Sequence, residues 1–133
     1  MSGEQNLEKL FKSLSAKLAE GVHVFVTVSN GRNLKGVNPR MIFQETEGTT
    51  FILLKTEAES NGLAYEFPCR MITLDVHSSL EAIGFIAAIA TELAMHGMGV
   101  NPVSGFFHDH LFVPDGREQE ALEILKQIAN RNN

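Results

Sequence analysis

The sequence lacks the features on which several classes of protein depend. Its 133 residues contain no tryptophan and a single cysteine, Cys69, so an internal disulfide is impossible and a reducing compartment is expected. Eleven lysines and arginines are outnumbered by sixteen acidic residues, which leaves a formal charge of −5. Because no two basic residues are adjacent, the chain does not offer the cationic patch that nucleic acid or an anionic membrane surface requires.

Long apolar segments are equally scarce. The longest, residues 80–100, is interrupted by two glutamates and a histidine and predicts a buried helix rather than a membrane span. The first residues include Glu4 and Glu8 and no apolar run, so no signal peptide is expected and the cytoplasm is the expected location. What is present, 44% hydrophobic and 20% charged residues, is typical of a soluble globular protein.

Hydrophobic periodicity predicts helices and strands in both halves of the chain. The predicted elements of the first half are a helix over 6–19, strands over 22–28, 41–45 and 49–55, and a brief helix over 56–62. Leucines three and four residues apart mark the first helix, whereas valines at every second position mark the strand over 22–28. The short link Thr46–Gly48 favours an antiparallel hairpin between the next two strands.

The predicted elements of the second half are a strand over 70–76, a helix from Ser78–Glu81 to about His96, strands over 100–107 and 110–113, and a final helix after Asp115. Ser78 and Glu81 have the spacing of a capping box, in which the two side chains bond the free amides at the start of a helix. Gly84 is expected inside this helix, where glycine costs about 1 kcal/mol relative to alanine. Gly97 stands where a left-handed residue ends a helix, and Pro102 is expected on an edge strand.

This order of elements favours an α+β sandwich, with helices packed on one face of a mainly antiparallel sheet. The second half reads β-α-β-β-α, which lacks only a closing strand of the ferredoxin-like βαββαβ unit. A strand from residues 22–28, or one from a partner chain, is expected to complete it.

The residues from 70 onward carry a more specific signal. The segments Ile72–Gly84 (ITLDVHSSLEAIG) and Gly105–Val113 (GFFHDHLFV) resemble those of small bacterial ACT-domain proteins that hold two ACT-like halves in one chain. The likeness extends over the whole length and is strongest in the second half. A more distant similarity links the chain to the ACT modules of the cytosolic arginine sensors of animals.

The resemblance implies a ferredoxin-like ACT fold of two halves, residues 1–67 and 68–133. Because no helix is predicted between the first two strands of 1–67, that half departs from the family pattern and is expected to be degenerate. ACT units bind a small effector, often an amino acid, so the resemblance implies a regulatory or sensor module without catalysis or a cofactor. It also implies that Gly84 and Asp109 take part in amino-acid binding.

A free amino acid needs one partner for its carboxylate and another for its ammonium group. Free amides at the start of the predicted helix, Ser79–Ala82, could hold the carboxylate, and Asp109 could accept the ammonium group. The candidate binding residues flank this space and are His77, Ser78, Ser79, Leu80, Gly84, Phe106, His108 and Asp109. Plainer interpretations stay open, since Ser78 could only cap the helix and Asp109 could only shape a turn.

Two other functions compete with the sensor hypothesis. One is a structural or protein-interaction module without a ligand; the other is a histidine-based metal-binding protein, because His108 and His110 share one face of a strand. No catalytic residues are identified, since Cys69 has no neighbouring base in the sequence. The helix over 82–95 is apolar nearly all round, which favours a homodimer that covers it, with burial within one chain as the alternative.

Overall fold

The computed structural model describes residues 3–4, 6–79 and 81–131. The chain forms two compact units: unit A comprises Gly21–Cys69, and unit B comprises residues 1–20 together with 70–133. The helices and strands, numbered in chain order, are α1 (Leu7–Lys12), β1 (Ala16–Leu18), β2 (His23–Val28), β3 (Met41–Gln44), β4 (Thr49–Leu54), α2 (Lys55–Ser60), β5 (Glu66–Leu74), α3 (Phe85–Met95), β6 (Asn101–Ser104), β7 (Asp109–Pro114) and α4 (Glu118–Arg131).

Unit A consists of an antiparallel sheet and one short helix. Its strands lie in the order β3–β4–β2–β5, and β5 contributes only its first residues, the last of which, Cys69, pairs with His23. The hairpin predicted between residues 41 and 55 is confirmed, with Met41 of β3 opposite Ile52 of β4. Counted within the unit, the strand order is 4-1-3-2, as in the ferredoxin-like fold.

The core of unit A follows from the alternation of side chains along β2. Val24, Val26 and Val28 point to one face of the strand and are buried there with Ala58 of α2. Between β2 and β3, residues 29–40 form turns and loops instead of the helix that a complete βαββαβ unit has. The expectation of a degenerate first half is confirmed in this respect.

Unit B contains all the elements of a βαββαβ unit. Its strands lie in the order β1–β5–β7–β6, with residues 70–74 as the contribution of β5, and α3 and α4 are its two helices. The core buries Leu10 of the additional helix α1, Ile89 of α3 and Leu125 of α4. β6 lies at the edge of the sheet, as Pro102 predicts.

The predicted helix over 6–19 is wrong in its second half, where residues 16–18 form β1 instead. β1 pairs antiparallel with β5, and Ala16 lies opposite Leu74. The leucine spacing favours a helix locally, but the backbone groups of β5 offer hydrogen bonds that override this preference. The closing strand of unit B therefore comes from the start of the same chain, and the expectation of a strand from 22–28 or from a partner chain is wrong.

The predicted boundary between residues 67 and 68 lies inside β5. Packing groups residues 1–20 with 70–133, so the unit that contains the second half of the sequence also contains α1 and β1. The division of the sequence into 1–67 and 68–133 stays a prediction about where one half of the sequence ends and the next begins.

The apolar segment 80–100 contains α3, a helix of eleven residues. Among the described residues, no helix is long and apolar enough to cross a membrane. α3 buries Phe85, Ile89 and Leu93, whereas Ile83 just before it is 88% exposed and Met95 at its end is 74% exposed. The helix therefore has a buried face and an apolar surface without cover in the single chain.

An ion pair joins the start of α4 to β5. The Arg70 guanidinium lies 3.1 Å from the Glu118 carboxylate, and both side chains are mostly buried. Glu118 also accepts a hydrogen bond from the Gly116 amide at 2.8 Å. The backbone amide of Glu118 is the largest cause that lowers the pKa of its carboxyl; burial opposes it in part, and the Gly116 amide and Arg70 lower the pKa further.

The lowered pKa predicts that Glu118 stabilises the protein in a pH-dependent way. Because the folded state binds this proton less tightly than the unfolded state, the contribution is present above the ordinary value of 4.5 and is lost as the pH falls through the lower folded value. We expect Glu118→Gln to lower the free energy of unfolding by about 1 kcal/mol at neutral pH and by much less in strong acid. Urea unfolding at the two pH values measures the two losses in free energy, with Glu123→Gln, at an exposed position, as the control. Equal losses at the two pH values would assign the effect to packing instead of charge.

Candidate ligand-binding site

A buried carboxylate marks a polar corner of unit B. Asp109 opens β7 and is only 6% exposed. Its oxygens accept hydrogen bonds from Ser78 Oγ at 3.0 Å and from Ser104 Oγ at 2.5 Å. Ser78 follows β5, the neighbour of β7, and Ser104 lies opposite Asp109 in the β6–β7 hairpin. The segment after β5 and the bend before Asp109 therefore lie side by side.

A small cavity opens beside this carboxylate. Its volume is about 110 Å³, and it is lined by Ser78, Ser79, Ala82, Phe85, Ile86, Ser104 and Asp109. Among the described residues, Asp109 is the one charged side chain in this lining. The lining combines three serines and a carboxylate with three apolar side chains, a composition that suits a small molecule with a positively charged group.

The helix beside the cavity begins later than predicted. Ser79 Oγ accepts the Glu81 amide hydrogen at 3.1 Å, which stabilises a turn. Gly84 then adopts a left-handed conformation with φ of +87°, and α3 begins at Phe85. A serine side chain that bonds the amide two residues ahead competes with helix formation. Ser79 and Glu81 therefore belong to a turn before the helix instead of capping it. The predicted capping box and the predicted helical position of Gly84 are both wrong.

The start of α3 offers amide hydrogens for an anion. The Ser79 amide, one of the predicted donors, is already bonded to the Glu4 carbonyl at 2.8 Å. Gly84 precedes the first turn of α3, and no side chain caps the first-turn amides. Because Phe85 and Ile86 line the cavity, the positive end of the helix dipole lies beside it. While Glu4 holds the Ser79 amide, the free donors for an anion are therefore those of the first turn of α3.

Of the other predicted residues, His77, Gly84, Phe106 and His108 lie outside the cavity lining. His77 packs against Phe106 and Phe107, with ring centroids 6.0 and 5.6 Å away, and both phenylalanines are more than half exposed. We call these three residues the aromatic cluster. His108 lies 3.8 Å from the Asp75 carboxylate. Leu80 lies outside the described residues.

Phe85, Ile86 and Ser104 line the cavity but were not predicted, and Ala82 was predicted only as an amide donor. Ser104 could have been found, because a tight hairpin around Gly105 places the residue before it opposite Asp109. The other three depend on the late start of α3, for which the sequence carries no local signal.

The histidines near the hairpin do not form a metal site. The rings of His108 and His110 are 6.4 Å apart, and His110 Nδ1 shares a hydrogen bond with Thr73 Oγ1 at 2.9 Å. Within the part of the chain that the structure describes, no three His, Cys, Asp or Glu side chains are close enough to share a metal ion. The hypothesis of a histidine-based metal-binding protein gains no support from this geometry.

A larger groove in unit B has a different chemistry. It has a volume of about 450 Å³ and lies between β1 and α4, and its charged side chains are Lys12 and Lys126. The lining residues that the structure describes include no carboxylate that could accept an ammonium group. The cavity beside Asp109 is therefore the stronger candidate for an amino acid.

Comparison with known proteins identifies the family of the chain. Two family models, each described as an ACT domain, match residues 2–70 and 66–127. A protein of unknown function from Vibrio cholerae, described as a possible transport protein, is 40% identical; the match covers 92% of this chain and 95% of that chain, with a TM-score of 0.82. No curated protein sequence matches the chain.

More distant structures share the fold alone. A protein from Agrobacterium tumefaciens is 15% identical with a TM-score of 0.71, over 87% of this chain and 89% of that chain. The ligand-free regulatory subunit of aspartate kinase from Thermus thermophilus is 11% identical with a TM-score of 0.65, over 87% and 96%. The chain belongs to the ACT-domain family and holds two ACT domains, which confirms the predicted ferredoxin-like ACT fold.

The left-handed backbone of Gly84 gives a prediction of definite sign. Inside a helix, replacement of glycine by alanine stabilises a protein by about 1 kcal/mol. At Gly84 we expect alanine to destabilise by about 1–2 kcal/mol instead, because a Cβ at positive φ crowds the adjacent carbonyl oxygen. Thermal unfolding measures the change, with Gly99→Ala as the control, since a Cβ there meets open space. A stabilised Gly84→Ala protein would contradict this description of the start of α3.

Proposed function

We propose that this protein is a cytoplasmic regulatory module without catalytic activity that binds a small α-amino acid in the cavity beside Asp109. One observation carries the proposal: a buried carboxylate lines a cavity at the amino end of α3 and is the one charge among the lining residues that the structure describes. The ACT fold supports the coarser part, since the family's domains serve as ligand-binding regulatory modules.

The two sides of the cavity match the two charges of an amino acid. The ammonium group would donate to Asp109 in charge-assisted hydrogen bonds, which are about twice as strong as neutral ones. The carboxylate would accept hydrogens from the first-turn amides of α3, where a partly buried negative charge gains up to about 2 kcal/mol. A zwitterion uses both sides, whereas an amine or a carboxylic acid alone uses only one.

The surroundings of Asp109 favour a cationic ligand group. Ser78 and Ser104 donate neutral hydrogen bonds to its carboxylate, and no salt bridge to it occurs among the described residues. A buried carboxylate without a counter-charge costs free energy, because neutral donors replace its hydration only in part. A bound ammonium group would supply the missing charge.

The size of the cavity restricts the ligand. About 110 Å³ equals the liquid volume of three or four water molecules, which is room for the ammonium end of an amino acid and a short side chain. Ala82 and Ile86 make part of the wall apolar. We therefore favour amino acids with small side chains over long or charged ones.

We also propose that two copies of the chain associate through α3. Ile83 and Met95 expose large apolar side chains at its two ends, and exposed alanines lie between them. A second copy would bury this surface, and each Å² of apolar surface removed from water gains about 25 cal/mol of free energy.

A protein-interaction module without a ligand is the second candidate. The aromatic cluster favours it, because two neighbouring phenylalanines at the β6–β7 hairpin are exposed, and exposed aromatic side chains are enriched at protein interfaces. In that case the cavity beside Asp109 would have no ligand, and the hairpin would be the functional surface.

Asp109→Asn tests the amino-acid site. In a thermal-shift screen of the twenty amino acids, we expect at least one to raise the melting temperature by several degrees, since a ligand at a hundred times its dissociation constant adds about 2.7 kcal/mol. Asp109→Asn should keep the fold but weaken this ligand at least about thirtyfold, because it removes one member of a buried charge pair. Asp75→Asn is the matched control, since Asp75 lies outside the cavity lining.

Two outcomes would count against the site. If no amino acid shifts the melting temperature, the interaction module becomes the better hypothesis. If a ligand binds the Asp109→Asn protein as tightly as the unchanged protein, Asp109 is a structural residue of the turn.

Met95→Asp tests the association of two chains. We expect the unchanged protein to sediment as a dimer at micromolar concentration and the variant to dissociate at least about tenfold more readily, because a charge would enter an apolar interface. Gln119→Asp, exposed on α4, is the control. A monomer at all concentrations would exclude the proposed dimer.

A further inference from the structure

The first described residues of the chain lie against the loop that follows β5, residues 77–79. Two residues of this loop, Ser78 and Ser79, line the candidate site. Glu4 donates its amide hydrogen to the His77 carbonyl and accepts the amide hydrogen of Ser79, and both bonds are 2.8 Å long. They form an isolated parallel bridge between Glu4 and Ser78. We call Gly3–Glu4 the strap.

Gly3 fits against the loop because it has no side chain. A Cβ at this position would lie 2.5 Å from the His77 carbonyl oxygen and 2.6 Å from the Ser78 carbonyl carbon. Both atoms belong to the backbone of the loop, so neither can turn aside as the end of a side chain can. The close contact between the strap and the loop therefore depends on glycine.

The strap occupies a hydrogen-bond donor of the site itself. Ser79 lines the cavity, and its amide hydrogen is bonded to the Glu4 carbonyl oxygen. A ligand carboxylate oxygen is the same kind of acceptor, so it could add the Ser79 amide to the first-turn amides of α3 once Glu4 releases it. The strap carbonyl and a ligand carboxylate are therefore alternative partners for Ser79.

α1, which follows the strap in the chain, packs against the core of unit B. Phe11 of α1 stacks on Phe85, a residue of the cavity lining, with ring centroids 5.8 Å apart, and Leu10 is fully buried. Among the described residues, the one ion pair of the Glu4 side chain is an exposed one with Lys9, at 3.8 Å. Because two backbone hydrogen bonds hold the strap, it can open locally while α1 stays in place.

We propose that the strap is a reversible cover that controls access to the amino-acid site by competing with the ligand for the Ser79 amide; this rests on the function proposed above. With the strap in place, the cavity of about 110 Å³ admits the ammonium end and a short side chain, but the Ser79 amide is not available to the ligand carboxylate. When the strap lifts, the Ser79 amide becomes available to the ligand carboxylate. Since only the open state binds fully, the apparent dissociation constant is the intrinsic one divided by the open fraction.

Gly3→Ala tests the strap, and Gly99→Ala is the matched control because a Cβ at Gly99 meets no atom within 4 Å. Hydrogen exchange followed by NMR reports on the Ser79 amide, and calorimetric titration with each of the twenty amino acids reports the affinity. In Gly3→Ala we expect the Ser79 amide to exchange about tenfold faster and the ligand to bind about tenfold more tightly, because the closed state loses its hydrogen bonds. Gly99→Ala should behave as the unchanged protein.

A second pair of variants separates the backbone of the strap from its side chain. Glu4→Pro removes the amide hydrogen that Glu4 donates to His77 and should act as Gly3→Ala does. Glu4→Ala keeps that hydrogen and removes only the carboxylate, so the exchange of Ser79 and the affinity should not change.

The outcomes distinguish the strap from the site. An unchanged Ser79 exchange rate in both Gly3→Ala and Glu4→Pro would overturn the strap, as would an amino acid that binds these variants and the unchanged protein equally well. If Ser79 exchanges faster but no amino acid binds any variant, the proposed function fails, and the role of the strap fails with it. Tighter binding by Gly3→Ala and Glu4→Pro, with unchanged binding by Glu4→Ala and Gly99→Ala, supports both the proposed function and the role of the strap.

Discussion

Unit B depends on the antiparallel pairing of β1 with β5. Without β1, residues 70–74 of β5 would pair only with β7, and one row of backbone amide and carbonyl groups would have no partner. The same pairing fixes α1 over the core, where Leu10 is buried, and brings Gly3 and Glu4 to the loop beside the candidate site. A strand of three residues thus links the completion of the fold to the surroundings of Asp109.

The two ACT domains differ at corresponding positions. In unit B, Asp109 opens the third strand and accepts from Ser104, which lies opposite it. In unit A, Thr49 opens the third strand opposite Gln44, and its hydroxyl donates to Asn30 Oδ1 at 2.7 Å. At these positions unit A has neutral side chains, whereas unit B has a buried carboxylate, so the two corners differ in chemistry even though the domains share a strand order.

Local patterns predicted the elements whose partners lie close in the sequence. The alternating valines of β2 and the short link between β3 and β4 led to correct strands. They failed where a distant segment decides the outcome: residues 16–18 become a strand because β5 needs a partner, although the leucine spacing favours a helix.

The candidate site was also predicted only in part. Its two segments came from the family resemblance, because no local pattern shows that Ser78 and Asp109 meet. The capping-box motif misplaced the start of α3, since Ser78 bonds a residue on another strand and Ser79 closes a turn. A motif of four residues cannot reveal which of its side chains a distant element will use.

The insertion of unit A between the two segments of unit B has a consequence for synthesis of the chain. Unit A is contiguous, so a ribosome releases all of it before β7 and α4 exist. β1 emerges earlier still, yet its partner residues in β5 follow only after the whole of unit A. We expect unit A to acquire structure first, while β1 has not yet paired with β5. At this stage the nascent chain exposes backbone hydrogen-bonding groups of β1 that another chain could pair with.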